Sequence, residues 1–299
     1  MPDDSVLERL LRLRQHQHEG RRSPHKPLLA LLALGKLVNE GTSALPWSEA
    51  ESRLAAVIGE FGPATLTAPA QSAAYPFTRL RSDGVWTLDV DVPMDRVGPL
   101  REQPVTGRFA PDVEAQLQRS PGLAFEAARM LVASHFPESL WPDVLGAVGL
   151  ETEQVLGAPD LVTRGEEVRR RSAAWRTELI EAWDRQCAFC GYDGQIAGAP
   201  VGLDAAHVRW FAFDGPDELD NGLALCVLHH KLFDRGVLGL DGDHRVLVSG
   251  VFTARTGVGK AVYELAGRQL DPRPGTAVPR PEHVDWHRAE VFKGEPLAV

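Results

Sequence analysis

The chain has 299 residues, enough for two domains, and 43% of them are apolar, so each half can bury a core. The net charge of −9 taken alone argues against a nucleic-acid partner, but net charge does not say where charge lies, and local basic patches carry DNA contacts. No apolar run approaches the length of a membrane span; the start M-P-D-D-S has neither the basic nor the apolar region of a secretory signal; and the cysteines leave none for a disulfide, so a reducing, cytoplasmic setting is expected.

Ser5 and Glu8 form a possible capping box opening a helix whose stripe is Val6, Leu7, Leu10, Leu11 and Leu13. From Arg9 to Lys26 the chain carries Arg9, Arg12, Arg14, Arg21, Arg22 and Lys26 against the single acid Glu19, with His16, His18 and His25 as further donors. This densest basic run reads either as a solvated helix face or as a phosphate-contacting segment. Pro27 suits a first helical turn, and L-L-A-L-L-A-L-G-K-L-V, apolar almost all round, predicts a core helix. Ser48 and Glu51 predict a second cap, with Leu54, Val57, Ile58 and Phe61 inward. Residues 62–72 read as loop. Asp83-Gly84 predicts a hairpin turn between two strands, with Tyr75-Pro76 in a shallow loop at the strand entry and Phe77 and Trp86 in the core. Residues 104–111 read as a tight loop with Arg108 at its tip, and Ser120-Pro121 starts a helix running to about Phe136.

Three stretches of this half, R21-R22-S-P-H25-K26-P27-L-L, Y75-P76-F77…L80-R81…D83-G84-V-W86 and T-G107-R108-F109, stand in an order and spacing that resemble the sulfur-binding domain joined to HNH nucleases in McrA-like type IV restriction enzymes. The resemblance implies a partner: double-stranded DNA in which sulfur replaces one non-bridging backbone oxygen. The physics is consistent, because sulfur is larger and less strongly hydrated than oxygen and enters a shallow apolar cup at smaller desolvation cost. Tyr75 and Pro76 suit the walls, Gly107 permits close backbone approach, and the stem of Arg108 can line the cup while its head bonds phosphate. Arg22, His25 and Lys26 would hold the neighbouring backbone or read guanine edges, and Arg79 joins this DNA-binding set. A methylated base is the alternative target, although base readers usually flip the base into a deep cage.

Residues 151–172 read as a linker, dividing a domain at 1–150 from one at 173–299. It runs into a helix from about Glu166 to Arg185, with Trp175, Leu179, Ile180 and Trp183 at helical spacing and Arg164, Arg169, Arg170, Arg171 and Arg176 available to DNA. Next come C187-A-F-C190, D204-A-A-H207 and D220-N221-G-L-A-L-C226-V-L-H229-H230-K-L-F-D234-R-G. Cys187, Cys190, Cys226 and His229 make a complete tetrahedral shell, and a closed four-ligand shell is structural zinc. His229 rather than His230 belongs to it, since the C-x2-H spacing lets both donors reach one ion from a helix start while His230 points about 100° away. His207, Asn221 and His230 are then free for chemistry. Beyond them, Asp241-Gly242 predicts a hairpin, Ala261–Leu265 a strand, and Glu282 to Phe292 a helix in which His287 is a packed or capping residue.

These motifs resemble the HNH endonuclease family, in its restriction-type branch, over residues 165–250. That implies a β-hairpin packed on a short helix (ββα-metal), with the first His on a strand, the Asn on the loop and the last His on the helix. The expected architecture is therefore α+β: a helical and β-hairpin reader followed by an HNH domain with structural zinc. A neutral imidazole suits a general base, assigned to His207. His230 would hold a catalytic Mg2+ or Mn2+. Asn221 would fix the imidazole tautomer or join the metal. Many members place Asp or His immediately before the base; here Ala206 stands there. Asp204 is the nearest carboxylate, but an odd offset of three from His207 puts it on the opposite strand face unless the strand bulges. The expected enzyme is a metal-dependent endonuclease restricting phosphorothioated DNA. Since one HNH centre cuts one strand, a homodimer is expected. A zinc-stabilised DNA-binding protein without cleavage is the alternative.

Overall fold

Leu28 to Leu34 are all buried, so the apolar run beginning at His25 becomes a helix surrounded by others. In the computed structural model, which describes residues 5–13, 23–157 and 165–298 (the side chains of 121 and 165–173 excepted), the chain divides into two units, Met1–Pro159 and Asp160–Val299. The architecture is α+β. Arg22, with Arg14, His16, His18, Glu19 and Arg21, lies outside the described residues, as do Arg164 and the side chains of Glu166, Glu167, Arg169, Arg170 and Arg171.

The first unit runs α1 (Val6–Leu11), α2 (His25–Glu40), β1 (Leu45–Pro46), α3 (Trp47–Phe61), α4 (Pro69–Arg79), β2 (Trp86–Leu88), α5 (Val97–Glu102), β3 (Thr106–Phe109), α6 (Pro111–Arg119), α7 (Pro121–His135), α8 (Trp141–Ala147) and α9 (Thr152–Leu156). Ser5 caps α1 as expected, its hydroxyl accepting from the Glu8 amide at 3.3 Å. Helix α3 starts without a side-chain cap at Pro46, so Ser48 and Glu51 lie inside its first turns, while Leu54, Val57, Ile58 and Phe61 are buried as read. A small antiparallel sheet has β3 in the middle, pairing Leu45 with Gly107 on one side and Trp86 with Phe109 on the other. Its aromatic core is a chain of edge-to-face contacts: Trp47–Phe77 at 5.1 Å, Phe77–Trp86 at 5.9 Å and Trp86–Phe109 at 6.0 Å. Each such pair adds roughly 0.5–1.5 kcal/mol beyond its buried area.

Three expectations fail here. Tyr75-Pro76-Phe77 lies on α4, not on a strand of a hairpin, and α4 begins at Pro69 inside the expected loop. Ala73, Ala74, Phe77 and Leu80 are buried at helical spacing, and that stripe outweighs the turn signal of Asp83-Gly84, which ends a short 3-10 helix, Leu80–Asp83, instead. Gly107-Arg108, expected at a loop tip, is the middle of the central strand.

The second unit runs α10 (Gly165–Ala182), β4 (Gln195–Ile196), β5 (Ala199–Pro200), β6 (Leu203–His207), β7 (Gly222–Cys226), α11 (Val227–Asp234), β8 (Leu238–Leu240), β9 (Val246–Val248), α12 (Gly257–Lys260) and α13 (Pro281–Glu290). Strands β6 and β7 pair antiparallel without a bulge, from Leu203 opposite Cys226 to His207 opposite Gly222, and α11 follows at once. Trp175, Leu179, Ile180 and Trp183 enter one core with Leu203, Ala206, Leu223, Leu225 and Phe233. The hairpin around Asp241-Gly242 forms as read. Tyr263–Leu265 is a 3-10 helix rather than a strand, with only Leu265 buried, so no alternating face was there to pair. His287 on α13 stacks on Phe233 at 3.8 Å, a packed residue.

Candidate active site and metal centre

The four donors of Cys187, Cys190, Cys226 and His229 lie within 4.8 Å of one another. Cys187 and Cys190 sit on a tight knuckle closed by Gly191 N–H donating to the Cys187 carbonyl at 2.8 Å. Cys226 ends β7 and caps α11, which brings His229 around one turn later. His229 Nδ1 is 3.5 Å from Cys187 Sγ and 3.3 Å from Cys226 Sγ. Tetrahedral zinc with Zn–S of about 2.3 Å and Zn–N of about 2.0 Å would set S···N near 3.5 Å, so these residues fit a structural zinc. Cys190 and Cys226 raise the Cys187 thiol by hydrogen bonding, while Cys187 and Cys190 pull Cys226 down. Thiols and an imidazole this close compete for protons, and a cation there would displace those protons.

His230, the next residue, belongs to a different group. Its Nε2 lies 3.1 Å from Asp234 Oδ2 and its Nδ1 3.4 Å from Asp204 Oδ2. Burial opposes charge on the ring, yet the two carboxylates win and raise its pKa to about 9. The bond to His230 in turn holds the Asp204 carboxyl below its usual range, helped by Arg176 at 3.0 Å. Asp234 is itself fixed by Trp210 Nε1, which donates at 3.1 Å.

His207 ends β6. Its Nε2 is 2.8 Å from Asp217 Oδ1, and its ring stacks on Trp175 at 3.9 Å and 19°. Gly222 makes the stacking possible, since a Cβ there would come 2.9 Å from the Trp175 ring and 2.6 Å from Leu179. Asn221 is fully buried and braces the β6–β7 loop: its Oδ1 accepts from the Arg209 amide at 2.8 Å, and its Nδ2 donates to the carbonyls of Arg209 at 3.0 Å and Pro216 at 2.9 Å.

The expected trio therefore divides. Among the described residues, His207, Asn221 and His230 do not hydrogen-bond one another; Asp217, not Asn221, bonds the His207 ring. Asn221 is engaged on every side by the loop backbone, through Oδ1 and both amide hydrogens. Asp204 keeps its place on an unbulged strand, about 10 Å along the backbone from His207, and the helix brings His230 to it. Asp217 carries no motif and was not read from the sequence; Asp234 stands in the motif, but nothing in its spacing gave it a role.

In the first unit three of the cations expected to meet DNA, among the described residues, already hold carboxylates. Lys26 pairs with the buried Asp83, Arg79 grips Asp95 through two bonds of 2.7 and 2.6 Å, and Arg108 bonds Glu114 at 2.9 Å. Arg79 also lies 4.9 Å over the Tyr75 ring, one helical turn earlier. His25 opens α2, half-buried; Pro76 is buried within α4. The open side of Gly107 is filled by Trp86, whose ring a Cβ would meet at 2.3 Å, so this glycine serves packing of the indole.

A knuckle of soft donors beside a strand pair and helix carrying histidines defines a ββα-type nuclease domain, and the HNH endonuclease family model matches residues 187–241. The ScoMcrA-like DNA sulfur-binding domain model matches residues 3–153, half of the chain, and the protein belongs to that family. It thus joins a sulfur-binding domain to an HNH nuclease domain. Among solved structures, the sulfur-binding domain of ScoMcrA complexed with phosphorothioated DNA is similar at 22% identity and TM-score 0.41, over 48% of this chain and 98% of that one. The type IV phosphorothioation-dependent restriction endonuclease ScoMcrA is similar at 15% identity and TM-score 0.39, over 78% and 82%. The modification-dependent restriction endonuclease TagI is similar at 24% identity and TM-score 0.31, over 39% and 36%. No curated protein matches the chain.

Proposed function

We propose that this protein is a modification-dependent restriction endonuclease that binds phosphorothioated duplex DNA and hydrolyses a phosphodiester nearby. The observation that carries the reading is the presence of the two family matches on one chain, each on its own unit. The reader is taken as 1–150, the connection as 151–172 and the cutter as 173–299. His25, Tyr75, Arg79 and Arg108, with Arg22 and Lys26, would meet the modified backbone, while Pro76 and Gly107 set the shape beneath them. The Cys3His cluster would hold zinc. Mg2+ or Mn2+ would be held at His230, beside the carboxylates of Asp204 and Asp234, and would polarise the phosphate and stabilise the leaving oxygen. His207 takes the proton of the attacking water; Arg176 and Asp234 orient Asp204 and His230. One such centre cuts one strand, so a homodimer acting in the cytoplasm is the proposed working form, with cleavage displaced from the sulfur.

The test pairs two assays. A gel shift compares duplexes with and without one backbone sulfur; equal binding to both refutes the sulfur reading. Modified plasmid is then incubated with Mn2+ or Mg2+: His207→Ala is expected to bind and not cut, and undiminished cutting by that variant refutes the active site.

A further inference from the structure

The loop between β6 and β7 presents three consecutive residues, each held from a different direction. The Pro216 carbonyl accepts from Asn221 Nδ2 at 2.9 Å, and the Glu218 carbonyl accepts from Trp175 Nε1 at 3.1 Å. Between these fixed points the Asp217 carboxylate meets His207 Nε2 at 2.8 Å. We infer that Asp217 is the positioning residue of the hydrolytic base, and that Asn221 and Trp175 act on the reaction through the placement of Asp217. The inference rests on the reading of His207 as that base.

An ionised carboxylate only accepts hydrogen bonds, so His207 Nε2 carries the ring hydrogen and Nδ1 keeps its lone pair. Exchanging the two nitrogens requires turning the imidazole over, and the stacked indole of Trp175, 3.9 Å away, obstructs that rotation. In the reaction, Nδ1 takes a proton from water as the water oxygen bonds phosphorus and the bond to the 3′ oxygen breaks. The 3′ oxygen takes a proton from solvent, and the imidazolium, paired with Asp217, later returns its own to solvent. One water is consumed per bond broken. The arrangement parallels an acid–histidine pair in which the carboxylate sets the tautomer without itself being protonated.

The experiment uses the full-length, zinc-loaded protein. Ring-nitrogen NMR reads the His207 tautomer, and single-turnover nicking of phosphorothioated plasmid with Mn2+ reads the chemistry. The wild type is expected to show hydrogen on Nε2. Asp217→Ala is expected to show both tautomers and a rate lowered about 100-fold at unchanged DNA affinity, and Asp217→Asn, whose amide oxygen still accepts, the wild-type tautomer with an intermediate rate. A wild-type ring protonated at Nδ1, or Asp217→Ala cutting at the wild-type rate while His207→Ala is dead, overturns the positioning role alone. Cutting by His207→Ala overturns the base and its positioning residue together.

Discussion

His230 is flanked on both ring edges by carboxylates, and the two differ in their other partners. Asp234, buried, is also bonded to Trp210; Asp204, half-buried on a strand, is also paired with Arg176. Asp204→Ala is expected to weaken Mn2+ binding roughly 10–100-fold, the range for loss of a group supporting a metal site, with DNA affinity unchanged; calorimetric titration reads it, and undiminished affinity would remove Asp204 from the site. At this scale the sequence was partly legible. The soft donors announce themselves because thiols and an imidazole at C-x2-C and C-x2-H spacing have few other uses. Asp217 could not be found that way: its meaning comes from a loop conformation fixed by Asn221 and Trp175, which no local pattern encodes.

Among elements, the central strand β3 and helix α4 show where reading by turn chemistry fails. Asp83-Gly84 is a good hairpin signal, but the periodicity of Ala73, Ala74, Phe77 and Leu80 was the stronger instruction, and a proline within the helix did not cancel it. By contrast, α3 and α10 were legible from apolar residues at helical spacing, and α2 from a run that is apolar almost all round. Gly107→Ala is expected to push the Trp86 indole out of the aromatic chain and destabilise the first unit by about 1–3 kcal/mol, read as a lowered thermal midpoint. Gly222→Ala is expected to separate Trp175 from His207 and slow cleavage with little change in DNA affinity; an unchanged rate in single-turnover nicking would show that the stacking is dispensable.

For the whole molecule, the two units should respond separately to metal. Stripping the Cys3His cluster with a strong chelator, or replacing Cys190 by Ser, is expected to unfold the second unit while the first keeps its calorimetric transition, because metal binding there is coupled to folding. A single shared transition lost on chelation would contradict this. Binding should also depend on salt less steeply than a count of basic residues suggests. Lys26, Arg79 and Arg108 are already paired with carboxylates, so on the proposed reading each would exchange a carboxylate for a phosphate rather than meet DNA bare, with fewer counterions released per contact. No described helix is long and apolar enough to cross a membrane.

Two neighbouring side chains on one short helix, His229 and His230, face different partners, three thiols for the first and two carboxylates for the second. The first helps to anchor the start of that helix; the second is the residue proposed to hold the cutting ion. Starving the cell of the soft metal would thus blunt the blade before any hard metal could arm it. On that reading a freshly made chain would stay unable to cut until its scaffold had been mineralised.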